Sequence, residues 1–248
     1  VALPESPKVA IVPGPGVTWQ AVAPTLVRAG APFNLKIKST DKWGNPSDRM
    51  ADALQLSSEG VAISGLPQQV SCVQGEFAVM VEGLTMPQGG DGIITVRNAE
   101  GEALCQSNPI RAIEDASGEA PVHFWGDTHG QSNETLGTNT ARDYFIFGRD
   151  KAFLDVMGHQ GNDFQITGRF WKHLNELTAQ FDVPGAFVCI PGYEWSANTA
   201  VGGDRNVHYR HEGETIHRSS HAQIADPTDM VDEESDAHTA HDLFKKLE

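Results

Sequence analysis

Histidine is missing from the first half of this 248-residue chain: all ten lie at or beyond His123. Any imidazole chemistry therefore belongs to the second half. Cations are scarce too, with 18 Lys and Arg against 33 Asp and Glu. The resulting net charge of −15 repels a phosphate backbone and argues against nucleic-acid binding. A small anionic substrate stays compatible where a metal reverses the local sign. There is no run of about 18 apolar residues, so no helical membrane span is expected. Cysteine is limited to Cys72, Cys105 and Cys189, an odd number without CxxC spacing. That leaves isolated buried thiols, or a Cys72–Cys105 bridge in an exported protein. P-loop and dinucleotide fingerprints are absent, and Ser132 and Ser196 lack a nucleophile-elbow context. The chain begins at Val1 without Met, so compartment, cytoplasmic or exported, is not legible.

What is present changes in pattern near residue 120. Residues 1–115 read as short strands and turns at a spacing that predicts an antiparallel β-sandwich. FNLKIKST (33–40) alternates apolar and polar residues, and DKWGNPSD follows with turn chemistry. Residues 68–83 read as a hairpin around Gln74-Gly75, and 92–106 as another turning at Asn98–Gly101. IEDASGEAP (113–121) is a polar linker. Beyond it strands and helices alternate, the pattern of an α/β fold. Strands are expected over 122–125, 152–157, 186–195 and 205–210. Helices are expected over 140–151, capped by Thr138 or Asn139, over 166–181, and after Asp236. The second is the clearest, because Phe170, Leu174, Leu177 and Phe181 recur along one face. DMVDEESD (229–236) reads as a solvated acidic loop.

In parallel α/β folds, reactive side chains collect where strands run out into loops. His129 follows the first strand, His159 the second, Glu194 closes the third, and His208 lies in the fourth. Imidazoles with one carboxylate suit zinc, manganese or iron, in one or two ions. HFWGDTHGQS places Gln131 where a second histidine would complete His-x-His. Residues i and i+2 of an extended segment share a side, so Gln131 should lie beside His129 and hold a metal-bound water. Asp127 either orients His129, ligates directly or closes an Asx turn. Three roles fit Asp163: ligand, general base, or N-cap of the following helix. His173 reads as surface or packing, His238 and His241 as solvated, and His211, His217 and His221 as unassigned. Asn133-Glu134-Thr135 matches a glycosylation sequon.

WGDTHGQS, GRDKAFLDVMGHQGNDF, PGYEWSA and GGDRNVHY together resemble a bacterial family related to the PHP (polymerase and histidinol phosphatase) metal-dependent hydrolases. The likeness covers residues 121–248, and the region ahead of it resembles an immunoglobulin-like domain. It implies a mixed architecture, with an immunoglobulin-like sandwich over 1–115 followed by part of a PHP-type (β/α) barrel over 121–248. It also implies a divalent transition metal on His129, His159, Glu194 and His208, with Asp127 or Asp163 orienting or taking the proton. The substrate would be a small molecule of the phosphoester class. Two departures stand out: Gln131 for the second histidine, and Gly158 for an aspartate. From residue 121 only 128 residues remain, against roughly 200 or more for a whole barrel. The expectation is thus an incomplete, inactive hydrolase region that lacks a full metal complement and self-associates through an open barrel edge. The alternative is a non-catalytic binding or scaffold protein with a degenerate PHP-like domain.

Overall fold

A computed structural model describes residues 11–51, 53–115, 117–118, 122–221, 224 and 236–248. Most of the acidic run, 229–235, lies outside the described residues. The chain divides into two compact units, Val1–His123 and Phe124–Glu248.

The first unit is a two-sheet β-sandwich. One sheet holds β1 (Thr18–Val22), β3 (Phe33–Thr40), β4 (Pro46–Ser47) and β7 (Val79–Leu84), with β3 paired to the other three. The other runs β2 (Leu26–Arg28), β10 (Ile110–Ile113), β8 (Gly90–Arg97), β5 (Ala53–Gly60) and β6 (Gln69–Ser71), with β9 (Ala103–Gln106) also on β8. Alternation in β3 turns Phe33, Leu35 and Ile37 inward, against Leu54, Ile94, Val96 and Ile110. The chain crosses between sheets after β1, and β2 then runs parallel to the last strand, β10. This is an immunoglobulin-like arrangement. The β3–β4 turn is clasped by the Asp41 carboxylate, which accepts the N–H groups of Gly14, Trp43 and Asn45.

The strands β8 and β9 do form a hairpin through Asn98–Gly101. Residues 68–83 do not. β6 pairs with β5 in one sheet and β7 with β3 in the other, so Gln74-Gly75 lies in a connection between sheets. Local turn chemistry cannot tell these two cases apart. Cys72 and Cys105 are not joined by a disulfide.

In the second unit, β11 (Gly126–Gly130), β12 (Val156–His159) and β13 (Val188–Ile190) form a parallel sheet. Between β11 and β12 lies α1 (Ala141–Ile146), capped by Thr140 and running on into a π-helix over Phe147–Ala152. Between β12 and β13 lies α2 (Gly168–Phe181), whose Phe170, Leu174, Leu177 and Phe181 join Met157, Cys189 and Tyr193 in the core. Next come β14 (Gly192–Trp195), β15 (Arg205–His208) and α3 (Ala240–Leu247). The α3 cap is Thr239, not Asp236. Among the described residues no helix is long and apolar enough to cross a membrane.

The barrel expectation is overturned at the fourth strand. β15 lies antiparallel to β14, with Gly192 opposite His208 and Trp195 opposite Arg205. A (β/α) barrel needs each strand parallel to the one before, across a connection long enough for a helix. Residues 196–204 carry only a 3-10 turn at Thr199–Val201, so the chain turns straight back. The mixed sandwich-and-barrel fold is corrected accordingly. The chain is predominantly β: an immunoglobulin-like sandwich, then a three-stranded parallel sheet with its helices and an antiparallel ribbon.

Candidate functional site

The end of β11, the loop that follows it and the β14–β15 ribbon meet at one rung. Glu194 and Asn206 stand opposite each other in the ribbon. His129 Nδ1 donates to Asn206 Oδ1 at 3.0 Å, and Gln131 Nε2 donates to Glu194 Oε2 at 3.2 Å. Asn162 Nδ2 donates to the same Glu194 oxygen at 2.8 Å and to Ser196 Oγ at 2.8 Å. His129 and Gln131 thus reach the same rung. The Glu194 carboxyl is buried, which raises its pKa; the His129 charge and the Asn162 hydrogen bond oppose that shift. Burial, then the neighbouring His129, lowers the pKa of His208.

His159 faces elsewhere. Its Nδ1 accepts the Gly161 N–H at 3.2 Å, so the proton sits on Nε2, which donates to Ser132 Oγ at 2.8 Å. Tyr144 and Phe170 meet the ring edge-on, with centroids 5.9 and 5.8 Å away. Burial pushes the pKa down to about 4. A neutral imidazole with both nitrogens engaged has no lone pair left for a metal. Nor can it serve as a base toward Ser132, because Nε2 already holds its proton. Among the described residues, no three His, Cys, Asp or Glu side chains converge as a metal site requires. The expected donor set His129, His159, Glu194 and His208 therefore does not fit a metal in this structure.

The two aspartates assigned to proton transfer both accept backbone N–H groups. Asp127 Oδ1 accepts the His129 N–H at 3.0 Å, the Asx turn. Asp163 is fully buried, and its carboxylate accepts from the backbone N–H groups of Phe164, Ser196 and Ser219 and from the Ser219 hydroxyl. Burial pushes its pKa up to about 6 against those donors. It does not cap α2; the cap is Thr167, whose side chain accepts the Phe170 N–H at 3.1 Å.

A buried polar cluster has no signature in the sequence. Arg218 is fully buried, with one guanidinium nitrogen on the Asp163 carbonyl at 3.0 Å and Nε 3.3 Å from His221 Nε2. His221 is paired in turn with Asp236. Nothing in the polar run 211–221 marks one arginine as interior. His217 takes the Tyr193 hydroxyl on its carbonyl, and His238 bonds the Ser219 carbonyl at 2.9 Å. His173 is exposed beside Glu176.

The fold defines a β-sandwich protein of immunoglobulin-like type with an appended unit. No family model matches the chain. It is 23% identical over 204 residues to an uncharacterized protein of Chlamydia pneumoniae, covering 81% of this chain and 32% of that protein. The chain thus spans about a third of the length of this curated relative. Among solved structures it is similar to the D00-D0 domain of intimin, with 14% identity, a TM-score of 0.32, and 42% of this chain and 50% of that chain covered. It is also similar to the PKD domain of an M14-like peptidase from Thermoplasmatales archaeon SCGC AB-540-F20, with 14% identity, a TM-score of 0.25, and 42% and 98% covered. Scores of that size carry no functional argument.

The resemblance to PHP hydrolases is not upheld. The sheet reverses where the barrel would continue, and the donors do not converge. The four motifs are strand ends and tight loops whose polar residues serve the fold: the Asx turn at Asp127, the Ser132–His159 lock and the Asp163 clasp.

Proposed function

We propose that this chain is a non-catalytic binding or scaffold protein. The observation that carries the reading is how the chemistry-bearing side chains are engaged. Glu194 is held by two amides, His159 by a hydroxyl and a peptide N–H, and Asp163 by three peptide N–H groups and a hydroxyl. Each has partners that fix its position and leave little for a reacting group. Buried polar groups fixed in this way hold the neighbouring loops in one shape, and a preorganised loop surface suits recognition. The immunoglobulin-like unit supplies a second rigid frame whose loops are free to vary.

The competing reading puts a transition metal on His129, His159, Glu194 and His208 and makes the protein a phosphoesterase. Elemental mass spectrometry of the purified chain, with p-nitrophenyl phosphate as a generic substrate, sets the two against each other. The binding reading expects metal far below one equivalent and no turnover above the buffer blank after zinc, manganese or iron is added. Near-stoichiometric metal and turnover, both lost in His129→Ala, overturn it.

A further inference from the structure

A cleft of about 620 Å3 opens between the loop after β11 and the α1–π-helix segment, lined by Gln131, Thr138, Asn139, Tyr144, Phe147 and Lys151 among others. Its size lies within the ordinary range for small-ligand sites. Both walls are built to hold their shape. On the loop side, Thr135 N–H and Gly137 N–H both close onto the Ser132 carbonyl, at 2.9 and 2.7 Å. Gly137 is required there, since a Cβ would come within 2.5 Å of the Gln131 carbonyl oxygen. The Gln131 amide is fixed at both ends, to Glu194 and to the Leu136 N–H. On the other side the π-helix Phe147–Ala152 is a rare element, frequent at functional sites, and it ends at Phe153 with φ of 65°. It packs so closely on β12 that a Cβ at Gly148 would overlap the Met157 sulfur.

The lining chemistry narrows the ligand. Phe147 is half exposed and offers an aromatic face, with Tyr144 and Ile146 also on the wall. The Thr138 hydroxyl and the Asn139 side-chain amide are exposed and have no hydrogen-bond partner among the described residues. Together they present donors and acceptors side by side. Asp143 and Lys151 both line the cleft, so neither sign of charge prevails. The Asp143 carboxylate is already engaged by the Thr140 hydroxyl at 2.7 Å. Paired donor–acceptor groups beside an aromatic face, with one acid and one base in the lining, match a neutral ring with hydroxyls at its edge and C–H groups on its face.

We propose that this cleft is a binding site for a neutral sugar unit, a hexose or N-acetylhexosamine, stacked on Phe147 with its hydroxyls on Thr138 and Asn139. The inference rests on the binding reading above, yet the two fail separately. Turnover with bound metal overturns that reading, whereas the cleft is tested by contact with sugars alone. The experiment is saturation-transfer NMR of the whole chain with glucose, galactose, mannose, N-acetylglucosamine and N-acetylgalactosamine, one at a time, and inorganic phosphate as an anionic probe followed by 31P line width. At least one sugar is expected to receive saturation on its ring protons. The signal should fall about tenfold in Phe147→Ala and at least severalfold in Asn139→Ala, both exposed positions, with far-UV circular dichroism unchanged. Silence from all five sugars overturns the proposal. So does saturation that persists in both folded variants, or phosphate binding lost in Lys151→Ala while the sugars stay silent.

Discussion

His159 and Asp163 sit in the same unit, both essentially without solvent exposure, and burial moves their pKa values in opposite directions. Burial favours the neutral form at both, the deprotonated imidazole and the protonated carboxyl. For His159 the folded value of about 4 lies below the ordinary 6.5. Between them the unfolded chain binds the extra proton, so this group's contribution to stability rises with pH and is lost toward acid. For Asp163 the folded value of about 6 lies above the ordinary 3.8. There the folded chain binds the extra proton, so its contribution falls as pH rises through that window. Urea midpoints measured against pH should show both slopes. The stability difference between wild type and His159→Gln should grow from about pH 4 to about 6.5, the two values for His159. The difference between wild type and Asp163→Asn should shrink from about pH 3.8 to about 6. Parallel slopes for the two variants would contradict the assignment of burial as the main cause at both sites.

At the scale of elements, α2 shows how a clear pattern can hide its own boundary. The stripe Phe170, Leu174, Leu177 and Phe181 is legible in sequence because a buried helix face must repeat every three or four residues. Its cap is not, because Asp163 and Thr167 are both side chains that cap helices and both precede it. Thr167 takes the role, while Asp163 is drawn inward by Ser196 and Ser219. Thr167→Ala should cost about 0.5–2 kcal/mol and speed amide hydrogen exchange at Phe170 and Trp171. Asp163→Asn should leave exchange at those two amides unchanged. Faster exchange in Asp163→Asn and not in Thr167→Ala would return the cap to Asp163. The β14–β15 ribbon makes the same point for strands. Residues 186–195 and 205–210 each read as one strand in sequence, but the first breaks into β13 and β14, and the direction of β15 depends on whether the 196–204 connection can carry a crossover helix, and it does not.

At the scale of the whole molecule, the described residues form two cores with no residue in common. One is built on Leu35, Ile37, Leu54 and Ile94, the other on Phe145, Leu174, Phe187 and Trp195. Each core should therefore melt as its own cooperative unit. Leu35→Ala and Leu174→Ala should each cost about 2–5 kcal/mol and lower one calorimetric transition while leaving the other in place. A single transition that shifts equally in both variants would show that the units unfold as one.

By itself the sequence determined the alternation of β3, the β8–β9 hairpin, the α2 stripe and the confinement of histidine to the second unit. These follow from periodicity, composition and turn chemistry, which are local. Only the tertiary structure decided that β15 turns back on β14, that His159 faces Ser132 and Phe170 away from the Glu194 rung, and that Arg218 is interior. Strand direction and hydrogen-bond partners depend on residues far apart in the chain. A side chain's role is set by whichever donors and acceptors the fold brings to it.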